Sequence, residues 1–291
     1  MNRTLRNIIW ACWTWLARLA SRSYVAGPDL EEALRVCRRL AGRGFATTVG
    51  YWNSEGEEIQ AVARRYFAAI AAIAREGLDC YLSIKAPALG LDEGLVSEVL
   101  ERSERAEVQL HFDSLGPEAT DGVFAIIARS LSASRRTGCT LPGRWHRSLQ
   151  DAELAIALGL DVRVVKGQWS DPEYPDIDLR DGFLAVIDRL AGRARHVRVA
   201  THDAPLAREA VHTLRIANTS CELELLFGLP VNAALEAARE VDVPVRLYVP
   251  YGTAFVPYCL TQLRKQPHIL WWLFQDAVFG RSLNVRSTSA S

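Results

Sequence analysis

The stretch Asp161–Trp169, DVRVVKGQW, sets Arg163 inside a β-branched run and Lys166 at its end. A buried strand does not tolerate an unpaired charge, so these cations must face partners or a ligand. Polar residues close the other β-branched runs as well: Tyr51 to Asn53, Lys85, Asp113, Arg144, His202 with Asp203, Glu224, and Tyr248 with Tyr251. For any one of them, a rim salt bridge facing water is an equal reading. Together, arginine, two lysines and a histidine facing two or three acids suit a bound anion. That anion would be a phosphate-bearing cofactor or a carboxylate substrate.

These residues need elements that bring them to one place. The runs begin near Ala46, Cys80, Val108, Gly138, Asp161, Val197, Cys221 and Val243. Between them lie segments such as EEIQAVARRYFAAIAAIAREG and SLQDAELAIALG, apolar at i, i+3 and i+4 and ending at glycine, as helices do. Strand–helix alternation repeated eight times predicts a (β/α)8 TIM-type barrel, whose active site is built at the C-terminal strand ends. An open doubly wound sheet is the competitor, but no G-x-G-x-x-G follows a strand. No Pro/Gly/Ser-rich linker divides the chain, so one barrel domain over 23–291 is expected, behind an N-terminal helical segment over 1–22.

Of 291 residues, 49% are hydrophobic and 23% charged, a globular composition. Lys plus Arg equals Asp plus Glu at 34 each, so no global field favours nucleic acid. The six cysteines show no C-x-x-C pair and sit mostly in apolar runs, which predicts reduced thiols, a cytoplasmic setting and no metal site. Residues 1–20 carry Arg3, Arg6 and Arg18 around an apolar stretch from Ile8 to Leu16, too short to span a bilayer. Without a clear cleavage site they do not read as a signal peptide. Packing under the barrel is the first reading; peripheral contact with a membrane surface, through Trp10, Trp13 and Trp15, is the second.

In order from Ser23 to Phe279, SYVAGPDLEEALRVCRRLAGRGF, YLSIKAPALGLDE, RVVKGQW, ATHDAPL, LLFG and RLYVPYG…PYCLTQL resemble the proline dehydrogenase family. The resemblance implies an FAD-dependent (β/α)8 enzyme that oxidises L-proline to pyrroline-5-carboxylate and passes electrons to a quinone, or alternatively to oxygen. It implies that Arg163, Val165, Lys166 and Gly167 lie against the flavin, with Trp169 beside them and Arg163 near the reactive N5 region. It further implies flavin contacts for Thr201, His202 and Asp203. Lys85 matches the lysine facing the substrate carboxylate, Asp113 and Tyr248 match polar residues around the amine and ring, and Tyr258 matches an aromatic on the last helix. A cation beside the flavin would stabilise the charge that arrives with a hydride.

The departures point to a different substrate. The family's last helix reads approximately P-Y-x-x-R-R, and the paired arginines clamp the proline carboxylate. Here the register gives Pro257, Tyr258, Cys259, Leu260, Thr261 and Gln262. The acid of the first strand, L-G-E in the family, falls nearest Asn53. Losing both partners of an ion pair together avoids a lone buried charge. Tyr258, Thr261 and Gln262, spaced i, i+3 and i+4, would offer one neutral polar helix face to an amine substrate whose carboxylate is masked, missing or moved. The cofactor positions have drifted too: the family's strand-four glutamine is Pro142, its strand-seven glutamine is Glu224, and DPEYPDIDLRDGF shows no Thr/Lys pyrophosphate contact. Two alternatives stay open. One is an authentic L-proline dehydrogenase with a clamp rebuilt around Lys85 and Arg144; the other is a non-catalytic barrel that binds a metabolite or partner.

Overall fold

The alternating runs fold into eight parallel strands that close on themselves. The computed structural model describes residues 26–130 and 137–252. In chain order these are α1 (Leu30–Ala41), β1 (Ala46–Tyr51), α2 (Ile59–Glu76), β2 (Cys80–Ile84), α3 (Glu93–Arg105), β3 (Leu110–Phe112), α4 (Thr120–Ser130), β4 (Thr137–Pro142), α5 (Ser148–Ala157), β5 (Asp161–Val165), α6 (Leu179–Leu190), β6 (His196–Ala200), α7 (Ala204–Ile216), β7 (Ser220–Leu226), α8 (Asn232–Glu240) and β8 (Val245–Tyr251). Each strand pairs with the next, and β8 returns to β1 with Ala46 opposite Arg246 and Tyr51 opposite Tyr251. This is the (β/α)8 barrel expected from the alternation.

Strand periodicity sorts the side chains into two environments. Val49, Leu82, Ile84, Phe112, Val162, Val164, Val199, Leu223, Leu225, Leu247 and Val249 face the helices and form the continuous apolar core. The alternate positions face inward and are largely polar. Helix ends follow local rules: Asp92, Asp178 and Asp203 cap α3, α6 and α7 through their carboxylates. Gly77 closes α2 in the left-handed region at φ 61°, where a side chain would be strained. Strand β3 starts at Leu110 rather than Val108, because Glu107 also turns left-handed at φ 55° and delays entry into the sheet.

Barrels of this type usually fill their interior with Val, Ile and Leu. Here the floor is ionic. Arg198 donates to Glu222 at 2.8 Å and to Asp161 at 3.2 Å. Arg246 donates to the same Glu222 oxygen at 2.8 Å, to Asp79 at 2.9 Å and to the Thr47 carbonyl at 2.8 Å. Both guanidinium groups lie over the Tyr81 ring, 4.5 and 4.7 Å from its centroid. Charges this deep persist only when each has partners, and here they do. Among the described residues, no helix is long and apolar enough to cross a membrane and no cluster suits a metal ion. Residues 1–22, Tyr258, Thr261 and Gln262 lie outside the described residues, so the expectations placed on them rest on sequence alone.

Candidate active site

One layer above the floor, Arg163 from β5 projects into the barrel and is 4% exposed. It meets Glu224 of β7 in a two-pronged contact, Nε to Oε2 at 2.7 Å and Nη2 to Oε1 at 2.9 Å. Its Nη1 donates to Asp113 Oδ1 at 2.6 Å, just past β3. Tyr81 Oη accepts from Nη2 at 3.0 Å, and Tyr81 donates in turn to Glu224. Thr48 of β1 donates to Glu224 Oε1 at 2.7 Å. Burial, the largest influence, works against the charged guanidinium. The Glu224, Tyr81 and Asp113 neighbours outweigh it and hold the Arg163 pKa well above its ordinary value. The expectation that Arg163 points at a ligand is therefore modified: its donors are engaged by the protein itself.

The mouth opens above this layer. Asp113 is fixed by Ser83 Oγ at 2.6 Å and by Tyr248 Oη, which donates to Oδ2 at 3.1 Å. Lys85 Nζ lies 3.9 Å from the same Oδ2 and donates to the Tyr51 carbonyl at 2.7 Å. Burial, helped by Arg163 and opposed by Asp113, lowers the Lys85 pKa, bringing its ammonium closer to releasing a proton. Tyr248 moves the other way. Burial and Asp113 raise its pKa well above the ordinary phenol value, so it is a donor and not a base. Trp52 donates to Tyr248 Oη at 3.3 Å. Gly50 makes room for this ring, since a Cβ there would stand 2.0 Å from Tyr248 Oη. Asn53 is half-buried and donates to the Ser54 carbonyl at 3.3 Å; the nearby carboxylate is Glu57, which accepts from Tyr51 Oη.

The remaining expected positions form a rim over β4, β5 and β6. Val165 is half-buried, opposite Pro142 and Ala200. Lys166 pairs with Asp203 at 3.0 Å, each about a third exposed. Gly167, at φ 93°, packs so closely that a Cβ would meet Arg144 and Pro142 at 2.9 Å. Thr201 is buried and accepts from the Asp203 backbone at 3.2 Å. His202 has both ring nitrogens engaged: Nδ1 lies 3.0 Å from the Pro230 carbonyl, and Nε2 lies 3.0 Å from the Leu226 backbone nitrogen. These partners fix a neutral tautomer, with Nδ1 donating and Nε2 accepting, and burial lowers the ring's pKa accordingly. His202 thus offers a ligand its ring face and not a hydrogen bond.

The donor set can be weighed against the FAD that the resemblance implies. Arg144 contacts the Gly167 and Gln168 carbonyls at 3.5 and 3.1 Å, and no ion pair to a carboxylate is formed by it among the described residues. Beside it stand Lys166 and the Trp169 indole, 46% exposed. A guanidinium whose partners among the described residues are carbonyls, a partly exposed ammonium and an open indole fit a group that is both anionic and aromatic. The rim therefore fits the cofactor, while Arg163 below it fits less well than the resemblance suggests.

Sequence reasoning missed several residues that build this site. Thr48, Gly50, Tyr81 and Ser83 carry no charge and drew no attention. The signal was present in the two-residue period: Tyr81 and Ser83 share a strand face with Lys85, as Glu222 does with Glu224 and Arg246 with Tyr248.

No protein-family model matches the chain. It is 27% identical over 284 residues to proline dehydrogenase 1 of Bacillus subtilis subsp. natto, covering 91% of this chain and 92% of the relative. It is 22% identical over 293 residues to proline dehydrogenase 2 of Bacillus subtilis strain 168, covering 94% and 93%. Among solved structures, proline utilization A from Bdellovibrio bacteriovorus, inactivated by N-propargylglycine, superposes with a TM-score of 0.75 at 14% identity. That match covers 90% of this chain and 34% of the other. Proline utilization A from Corynebacterium freiburgense gives 0.71 at 18% identity, covering 100% and 37%. The chain thus spans about a third of those longer proteins, and the likeness to them is one of fold. Over nine-tenths of its length the chain is similar in sequence to these proline dehydrogenases, and its barrel shares the fold of the proline utilization A structures.

Proposed function

We propose that the protein is an FAD-dependent oxidoreductase of the proline dehydrogenase type, acting on a cyclic or secondary amine. The observation that carries this reading is the convergence of Lys85, Asp113 and Tyr248 at the C-terminal mouth, 3.9 and 3.1 Å apart through Asp113 Oδ2. When bound, a flavin would supply the hydride acceptor; the protein's part is to hold the amine and manage its proton. Asp113 Oδ2 is placed to receive an ammonium. Lys85 Nζ, an ammonium 3.9 Å from that oxygen, stands beside the amine, whose proton must leave before the C–H bond can be broken. Tyr248 keeps its proton and holds Asp113 in position. Arg144, Lys166 and Trp169 would hold the cofactor at the rim, over Val165, Gly167, Thr201, His202 and Asp203.

The substrate class follows from the sequence beyond the described residues. Thr261 and Gln262 stand where the family has two arginines, and Tyr258 precedes them. Two charge-assisted contacts contribute about 1.5–3 kcal/mol each, so their loss disfavours a free amino-acid carboxylate by roughly two to four decades. The substrate proposed here keeps the amine and carries its carboxylate masked, missing or moved. A quinone, or alternatively oxygen, would take the electrons onward, and peripheral attachment through residues 1–20 would bring the barrel to a membrane-borne acceptor.

The test begins with the absorption spectrum of the purified protein and extraction of its flavin. Steady-state oxidation of L-proline, L-prolinamide and a prolyl ester follows, with an artificial electron acceptor. The expected result is a yellow protein that turns over the amide or ester faster than proline. Efficient turnover of free proline would restore the authentic enzyme with a rebuilt clamp. A colourless protein that takes up no FAD would leave the non-catalytic barrel.

A further inference from the structure

Arg163 has five N–H donors, and the protein meets them. Glu224 takes Nε and one hydrogen of Nη2; the Tyr81 hydroxyl accepts the other. Asp113 takes Nη1 at 2.6 Å, with Ser83 and Thr140 Oγ1 at the edge of reach, 3.4 and 3.5 Å away. Two carboxylates therefore oppose one guanidinium, and the nearby Lys85 ammonium brings this layer to a formal sum of zero. Glu224 is also immobilised from three other strands. Thr48 of β1 and Tyr81 of β2 both donate to it while Arg163 of β5 grips it, and its side chain is 2% exposed. A carboxylate held this way cannot swing aside when a ligand arrives. In so dry a setting a full charge acts over several ångströms, so its presence is felt at the mouth directly above.

We propose that Glu224 is a positioning residue that closes the Arg163 charge inside the barrel, so that a flavin bound at the mouth meets no net cation from this layer and is harder to reduce than it would be over an unopposed guanidinium. This rests on the flavin reading above. The two-pronged contact keeps Arg163 rigid and oriented, while its field on the mouth is cancelled from below. The position of the carboxylate, rather than any contact with substrate, gives Glu224 its role.

The measurement is the midpoint potential of the flavin in the holoprotein, read by reductive titration against a reference dye. Glu224→Gln removes the charge and keeps the shape and an acceptor oxygen. At a fixed dye potential, the ratio of reduced to oxidised flavin should rise at least tenfold, about 30 mV for a two-electron couple. Glu222→Gln, whose carboxylate is engaged in the floor by Arg198 and Arg246, should change the ratio less than threefold. Arg163→Gln/Glu224→Gln removes both members of the pair, leaves no unpaired buried charge, and should stay within threefold of wild type. An unchanged or lowered ratio in Glu224→Gln at full flavin loading would overturn the inference. So would a tenfold fall in the double variant, which covers the case in which the single variant does not fold. A yellow wild type whose potential ignores Glu224 ends this inference alone; a folded protein that takes up no FAD ends the flavin reading and this inference with it.

Discussion

The floor and the mouth of the barrel use the same chemistry for different ends. In the floor, Glu222 stands between Arg198 and Arg246; in the layer above, Arg163 stands between Glu224 and Asp113. Both arrangements are buried and tightly bonded. The difference lies in what adjoins them. The floor is closed by further contacts: Arg195 pairs with Asp161, the Gln109 amide donates to the same carboxylate, and the Asp79 carboxylate meets Arg246. The upper layer ends at Asp113, Lys85 and Tyr248, partly open to whatever enters the mouth. An ionic core can therefore be scaffold and site at once, separated by about one strand residue pair. Removing a charge should cost stability below and change chemistry above.

The largest effect is expected in the floor. Glu222→Ala leaves Arg198 and Arg246 without their shared acceptor, and removing one side of a buried ionic contact costs about 3–5 kcal/mol. Burial, the largest influence, raises the Glu222 pKa, yet His196, Arg246 and Arg198 together pull it well below the usual carboxylate value. Its stabilising contribution is therefore present above about pH 4.3 and is lost as the pH falls toward the depressed folded-state value. Urea unfolding at neutral pH should show the deficit in full, and the gap between wild type and variant should narrow as the pH is lowered through that window. A variant with wild-type stability would mean that the floor is not the scaffold described here.

His111 lies between the two layers and sharpens the comparison through pH. Its Nε2 meets Thr140 Oγ1 at 2.9 Å, while Nδ1 is buried with no partner among the described residues. Burial first, then Arg163, Arg198 and Arg246, push its pKa well below the ordinary imidazole value. The folded state thus keeps the ring neutral while the unfolded chain protonates it below about pH 6.5. Stability is full above that pH and falls below it, approaching about 1.4 kcal/mol per pH unit from this group. His202, also depressed by burial, adds a parallel loss. Melting curves between pH 7.5 and 5.5 should be visibly steeper in pH for wild type than for His111→Gln. Equal slopes would show that the ring takes up its proton without difficulty inside the folded barrel.

The barrel was legible because each strand repeats a two-residue alternation and each helix a wider apolar stripe, and those periods survive in a single sequence. Strand starts at Ala46, Cys80 and Asp161 coincide with expectation. The mouth was legible from charge: Lys85, Asp113, Arg163, Glu224 and Tyr248 were each visible as polar residues at strand ends. What the sequence did not reveal was who meets whom. Arg163 and Glu224 are separated by 61 positions, and only the closed register brings β5 and β7 face to face with a guanidinium spanning the interior. Arg163 was thus expected to reach toward a ligand, when its partners come from across the barrel. Gly50 was equally silent, because its importance is the space it leaves for Tyr248, and a missing Cβ carries no chemical signature.

The smallest effect on stability is expected at the rim, where the largest relative effect on ligand binding should appear. Lys166 and Asp203 form an ion pair at 3.0 Å with both side chains about a third exposed. Water screens such a pair, so Lys166→Ala should cost at most about 1 kcal/mol of stability. Asp203 loses little besides, because its other oxygen still caps α7 through Leu206 N at 3.1 Å. If Lys166 holds an anionic part of a cofactor, the variant should lose bound flavin on dilution several-fold faster than wild type while its melting curve barely moves. Sodium chloride should mimic this loss in wild type, since a screened cation binds a phosphate more weakly as ionic strength rises. Flavin retention that ignores both the substitution and salt would move the cofactor away from this rim, and a large drop in stability would make Lys166 part of the scaffold.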